Sequence, residues 1–270
     1  MNRLFALILV LATLPLYGQY TLDWKKTYGG IGYQEINDIS ETKDRGFIIT
    51  GYTTTMDKKR YLWVAKIDEF GELVWENYYD KYFLSIGNAV IETMQGNYVA
   101  VGYATDKKTF NKEAWIIKLN PQGKIIWEKR VGRRNEENAI DVLQQADGGF
   151  AMLGYTNTNK SGTYDIWLVK LGAQGNRQWE KVFGGKKDEE PGAICKAPNM
   201  GFAVAGYTAS PSKMKGQAER QVILLRLDAY GNKQWEQTYS NSSNDMASGV
   251  TMTNDDGFIL SGFTRRDEPT

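Results

Sequence analysis

The chain contains no histidine and a single cysteine, Cys195. Ser-His-Asp and Cys-His catalysis, histidine-ligated zinc and thiolate metal sites are therefore all excluded from its chemistry. What remains for acid–base work is carboxylate. Two acidic runs, Glu136-Glu137 and Asp188-Glu189-Glu190, are the best placed of these. Paired carboxylates suit glycoside cleavage or calcium binding. Neither run has the alternating oxygen-ligand spacing of a calcium loop, and solvated loop charge is the preferred account of both. A second pattern is basic: Lys66, Lys118, Lys170 and Arg226 form a ladder that would snorkel or pair with a neighbouring unit. Cys195 reads as a small core residue. No catalytic residue, no cofactor and no metal ligand set is expected.

The elements that position these residues are repeated. Trp24, Trp75, Trp127, Trp179 and Trp235 recur at spacings of 51, 52, 52 and 56 residues. A fixed period near 50 residues marks an array of supersecondary units, since one such unit cannot bury its own apolar face. Each copy reads as four short strands, A to D, bounded by Gly, Asn and Asp. Strand A carries Ile39, Val90, Val142, Ile194 or Val250; strand B runs from Gly-Phe to Gly-Tyr, as in Gly148–Tyr155. Strand C is Trp63–Ile67 and its equivalents, and strand D surrounds the periodic tryptophan. The tryptophans read as packing between units rather than as a sugar platform. The expected fold is all-β: a β-propeller of about five four-stranded blades with repeats of about 52 residues, the last blade incomplete. The units run 24–75, 76–127, 128–179, 180–235 and, partially, 236–270, in one domain spanning 19–270.

The A–B and C–D turns are nearly uniform between copies, whereas the B–C and D–A connections differ. Asp68–Gly71, Asn120–Gly123 and Asp228–Gly231 have Asp or Asn opening and Gly closing, as in a type I turn followed by a positive-φ residue. Uniform turns at one end and divergent loops at the other make the divergent end the expected binding face. Gly51, Gly102, Gly154, Gly206 and Gly262 close strand B, where they are expected to admit the next blade's tryptophan. The N-terminal strand around Trp24 is expected to join the last blade and close the ring.

The segments Leu171–Gly185, Asp245–Val250, Asp147–Phe150 and Gly154–Thr156 follow the pattern Lys-Leu/Ile-Asp-x-x-Gly-Asn-x-x-Trp, then Phe/Tyr-Gly-Gly, Asp-x-Ala-x-x-Ile/Val, Asp-Gly-Gly-Phe and Gly-Tyr-Thr, with Gly172 at the Asp position. This pattern resembles the secreted bacterial β-propeller repeats of the SBBP type, over roughly Trp24 to Thr264. The resemblance implies a propeller scaffold in an exported protein and carries no shared catalytic residue. Copy two departs from it with Asp80-Lys81-Tyr82 in place of Gly-Gly, and copy four places Pro191 where Ala would be.

Residues 1–18 read as a signal peptide, with Arg3 before an apolar run from Leu4 to Leu16 that is too short to span a membrane. Export to the periplasm, cell surface or exterior follows. Removing Arg3 with this leader takes 33 basic residues to 32, equal to the 32 acidic ones. That balance speaks against nucleic acid as a partner, and no integral membrane segment is expected in the mature chain. The favoured function is a non-catalytic exported scaffold that meets a protein or a neutral glycan through the divergent loops. The alternative is a propeller-type glycoside hydrolase or lyase using loop carboxylates. Expected contact residues are Lys58, Lys59, Arg60, Lys107, Lys108, Arg133, Arg134, Lys186 and Lys187.

Overall fold

The computed structural model describes residues 24–30, 32–132, 136–157, 163–185, 187–211, 218–240 and 244–264. The expected leader lies outside them. Alternating β-branched and aromatic residues between turn formers give antiparallel strands, and no helix occurs among the described residues. Blade 1 is β1 (Tyr33–Glu41), β2 (Phe47–Thr54), β3 (Arg60–Ile67) and β4 (Leu73–Tyr79). Blade 2 is β5 (Leu84–Glu92), β6 (Tyr98–Thr105), β7 (Lys112–Leu119) and β8 (Ile125–Val131). Blade 3 is β9 (Glu137–Gln144), β10 (Phe150–Thr156), β11 (Asp165–Leu171) and β12 (Arg177–Phe183). Blade 4 is β13 (Glu189–Ala197), β14 (Gly201–Pro211), β15 (Ala218–Leu227) and β16 (Lys233–Tyr239). Each is a four-stranded meander in chain order, and β17 (Asp245–Met252) pairs with β18 (Phe258–Thr264) as a two-stranded fifth blade. The all-β propeller with an incomplete last blade is thus the observed fold.

The core lies between blades. Ile48, Leu62 and Val64 of blade 1 pack on Ala100, Trp115 and Ile117 of blade 2, and Val101 and Ile116 pack on Met152 and Trp167 of blade 3. Trp63, Trp115 and Trp167 are at most 2% exposed, so the strand C tryptophans are core. The strand D tryptophans reach across the outside of each junction. Trp75 meets Tyr98 of the next blade at a ring distance of 5.9 Å, Trp127 meets Phe150 at 6.1 Å and Trp179 meets Phe202 at 6.2 Å. Each tryptophan also covers the next blade's C–D turn, where Gly123, Gly175 and Gly231 sit at φ near +75°. A Cβ on Gly123 would come within 2.8 Å of the Trp75 ring, so this turn needs glycine for both its φ and its neighbour.

Two expectations are corrected by this packing. The strand B glycines do not receive tryptophan. A Cβ on Gly154 would overlap the Asn138 carbonyl of strand A in its own blade, beside the bulge where the β9–β10 register shifts. Nor does the N-terminal segment complete the last blade. Residues 24–30 form no strand, and Trp24 lies on the C–D turn of blade 1, its indole nitrogen donating to the Glu69 carbonyl at 3.1 Å. β17 and β18 pack on β13, β14 and β15. The basic ladder divides: buried Lys66 and Lys170 reach the A–B turn carboxylates of Asp44 and Asp147 in their own blades at 3.0 and 2.8 Å, whereas Lys118 lies 5.7 Å over the Phe150 ring of the next blade.

Polar links between strands A hold adjacent blades together. Asp38 accepts from the Val90 amide of blade 2 at 2.8 Å, and Asp141 accepts from the Ile194 amide of blade 4 at 3.0 Å. Between blades 2 and 3 the link is an amide: Asn88 donates to the Ala139 carbonyl at 2.7 Å. Burial pushes the Asp141 carboxyl up to about 6, with Asp38 adding a like charge.

Candidate active site

Strand pairing places one residue per blade at the top of strand A, opposite the end of strand B: Gln34, Ser85, Glu137, Glu189 and Asp245. Across the same strand B residue lies a strand C position: Tyr61, Glu113, Asp165 or Gln221. The D–A connection then carries the chain to the next blade and brings these two positions together. At the junction of blades 2 and 3, a Cβ on Gly132 would lie 2.7 Å from Oε2 of Glu137 and 3.0 Å from Cγ of Glu113. At the junction of blades 3 and 4, a Cβ on Gly184 would overlap Oδ1 of Asp165 and lie 2.7 Å from Oε2 of Glu189. The Asp165 and Glu189 oxygens are therefore within about 5 Å of each other, at the short end of glycosidase carboxylate separations. Glycine at 132 and 184 is what leaves room for two acids from consecutive blades.

The two acid pairs differ in their surroundings. At the 2/3 junction Arg130 of β8 lies 3.0 Å from Glu113 and supplies a cation. Arg130 pairs in register with Trp115; the residue pairing with Trp167 in blade 3 is Val182. The arginine is thus replaced by an apolar side chain at the 3/4 junction. Burial raises the Asp165 carboxyl, against the lowering effect of the Gly185 amide, and the charge of Asp188 adds to the rise. Burial likewise raises Glu189, and the charge of Asp165 adds to it. Glu189 is lowered by the Thr208 hydroxyl, donating to Oε1 at 2.8 Å, by the Gly185 amide, donating to Oε2 at 3.2 Å, and by the charge of Lys187. Two carboxyl groups that burial biases toward the protonated form are candidates for proton donation.

Glu189 opens on a cleft of about 710 Å³ between blades 3 and 4. Its walls include Phe183, Gly185, Lys187, Thr208, Gln221 and Glu236. Asp165 is fully buried and Glu189 is 7% exposed, so Glu189 meets the cleft and Asp165 stands behind it. Among the described residues no group of three or more His, Cys, Asp or Glu side chains is placed to hold a metal ion. Cys195 is half-buried, its thiol pushed up to about 11 chiefly by burial.

Of the expected contact residues only Lys187 lines this cleft. Lys59 is tied to Asp57 of its own loop at 2.5 Å, Lys58, Lys107 and Lys108 are exposed, and Arg60 lies 4.9 Å over the Tyr52 ring. Arg133, Arg134 and Lys186 lie outside the described residues. Asp165 and Glu113 were absent from the expected set. The available signal was their place two residues before the strand C tryptophans, where Asp165-Ile166-Trp167 and Glu113-Ala114-Trp115 align.

No family model and no curated protein sequence matches the chain. Solved structures do. It is similar to the α-L-arabinofuranosidase Arb93A from Fusarium graminearum, with a TM-score of 0.53 at 9% identity over 82% of this chain and 67% of that one. It also matches an endo-arabinase from Bacteroides thetaiotaomicron (TM-score 0.44, 12% identity, 68% of this chain and 72% of that chain). A third match is a candidate exo-β-1,3-galactanase from Bifidobacterium bifidum (TM-score 0.46, 13% identity, 84% and 80%). At these identities the likeness is one of fold. The non-catalytic scaffold expected from the sequence is corrected by this comparison: the propeller fold is the one an α-L-arabinofuranosidase uses. The physical reason for the error is burial. Glu137 and Glu189, read as solvated loop charge, are 0% and 7% exposed and face acids from the preceding blade.

Proposed function

We propose that the protein is an exported glycoside hydrolase that cleaves a glycan bound in the cleft between blades 3 and 4. The observation that carries this reading is the pair Asp165–Glu189, both with raised proton affinity, at the head of a polar cleft. Glu189 donates its proton to the glycosidic oxygen as the bond to the leaving sugar breaks. Asp165 acts through Glu189: its charge keeps the donor protonated. A water molecule attacks the anomeric carbon and loses its proton to solvent; Glu236 of β16 lines the far side of the cleft, three strands from Glu189 and paired with Lys233, and takes no part in the step. The propeller fold shared with the arabinofuranosidase supports a carbohydrate substrate. Export is supported by the basic-then-apolar start of the chain and by its resemblance to the SBBP-type repeats.

The test is reducing-sugar release by the purified protein from arabinans, β-1,3-galactan and a wider polysaccharide panel, beside Glu189→Gln. Hydrolysis of at least one substrate, reduced about 100-fold or more in the variant, is the expected result. Equal rates in the two proteins, or no hydrolysis across the panel, would refute the assignment.

A further inference from the structure

A second in-register set lies on the opposite face of the same strands. Strand B of each full blade ends with a tyrosine after its glycine: Tyr52, Tyr103, Tyr155 and Tyr207. Diagonally across on strand C, in three of the four blades, is a cation: Arg60, Lys112 or Arg220. Side chains two residues along on one face are within reach of each other. The Arg60 guanidinium lies 4.9 Å from the Tyr52 ring centre and that of Arg220 4.7 Å from Tyr207. Lys112 lies 4.1 Å from Tyr103 and donates to the Tyr155 hydroxyl of the next blade at 2.9 Å.

The rings hold these cations in place without neutralising them. Tyr52 and Tyr207 are only 6% and 8% exposed, so they are rigid supports. Elsewhere the fold pairs its buried lysines with carboxylates, as at Lys66–Asp44 and Lys170–Asp147. Among the described residues, Arg60, Lys112 and Arg220 make no ion pair. The nearby Glu35 instead accepts from the hydroxyls of Tyr33 and Tyr52 at 3.1 and 2.7 Å. Glu35 and Glu190 approach the Tyr52 and Tyr207 hydroxyls, yet none of the three cations makes a direct ion pair among the described residues, which leaves them available to an external anion.

The belt and the cleft share the top end of blade 4, on opposite faces of its sheet. Glu189 and Glu190 are consecutive on β13, as are Arg220 and Gln221 on β15, so each pair points to opposite faces. Gln221 and Glu189 line the cleft, whereas Arg220 stacks on Tyr207. A polymer lying along the rim would thus pass from the cations of blades 1 and 2 to the cleft beside blade 4. We infer that Arg60, Lys112 and Arg220 bind the carboxylate groups of an acidic glycan, a polyuronate, and guide it to the cleft. This inference rests on the hydrolase reading for its glycan, while the cation set would bind carboxylates even without hydrolysis.

The experiment is calorimetric titration of the full chain with an oligogalacturonate and with the same oligomer after its carboxyl groups are reduced to alcohols. The acidic oligomer is expected to bind, with affinity falling as salt rises, and the reduced one to bind at least about tenfold more weakly. The triple variant Arg60→Gln, Lys112→Gln, Arg220→Gln should lose about tenfold or more toward the acidic oligomer only. Equal affinity for the two oligomers overturns the inference whether or not the variant folds, and so does equal or tighter binding of a sulfated glycan or single-stranded DNA. Glu189→Gln separates the two readings. Retained oligouronate binding in a variant that hydrolyses nothing supports both. Hydrolysis of neutral glycans by a protein indifferent to carboxylates leaves the hydrolase standing and removes the belt.

Discussion

The junctions between blades 2 and 3 and between blades 3 and 4 are built from the same parts and differ at one strand D position, with Lys187 of the D–A connection the cation near Glu189 in the second. Both place an acid at the top of strand A, a second acid on the preceding strand C, and a glycine between them: Glu137, Glu113 and Gly132 in one, Glu189, Asp165 and Gly184 in the other. Arg130 balances the first pair, whereas Val182 stands in its place beside the second. In a propeller every junction inherits the repeat's geometry, so single side chains set how far an acid pair is neutralised. The inner links differ as well: Asn88 joins blades 2 and 3, and ionisable Asp141 joins blades 3 and 4.

Exchanging the parts of the two junctions breaks the comparison in graded steps. The largest effect is expected from Glu189→Gln, with turnover falling about 10²–10⁴-fold, while Glu137→Gln at the other junction leaves turnover within about twofold. Steady-state rates of the two variants on the same glycan decide this.

Asp141→Asn would remove the ionisable group from the inner link of the 3/4 junction while keeping an oxygen for the Ile194 amide. Because the folded Asp141 carboxyl is raised from 3.8 to about 6, the native state binds the proton more tightly than the unfolded chain. Its contribution is therefore fully favourable below the unfolded value and lost as pH rises to about 6, a change of up to about 3 kcal/mol. Urea melts from pH 4 to 7 should show that decline in the wild type and a flatter profile in Asp141→Asn.

Arg130→Val would convert the 2/3 junction to the 3/4 pattern. Leaving Glu113 and Glu137 without their cation should cost about 2 kcal/mol at pH 7. A thermal melt of this variant that is no lower at pH 7 than the wild type would argue that Arg130 does not neutralise the pair.

Much of the fold was legible because it repeats. The period of the strand D tryptophans and the Asp/Asn-to-Gly turns marked blades and turns, and Gly123 and Gly175 adopt the positive φ that the turn pattern required. The site was legible only in part. Glu189 stood out as an acid but was read as loop charge, because its neighbours Asp188 and Glu190 made the run look solvated. In the fold the three diverge. Asp188 accepts the Tyr164 amide at 2.9 Å, Glu189 faces the cleft, and Glu190 turns toward Tyr207. Asp165 was invisible as a partner because its contact with Glu189 is made by the course of the D–A connection, not by local spacing. The strand B glycines were correctly picked as tight positions, but the atom they accommodate is a carbonyl of their own strand A, which only the bulge reveals.

The smallest change with the most direct reading is Val182→Arg, which installs the strand D cation beside Asp165 and Glu189. The measurement is the carboxyl titration of Glu189 followed by carbon-13 NMR in the wild type and in Val182→Arg. The wild-type carboxyl should titrate above the ordinary glutamate range. In the variant the added positive charge favours the ionised form, so the midpoint should fall, and the high-pH limb of hydrolysis should move down with it. A wild-type Glu189 that titrates as an ordinary exposed glutamate, with no displacement in Val182→Arg, would contradict the claim that the 3/4 junction is a proton-donating site.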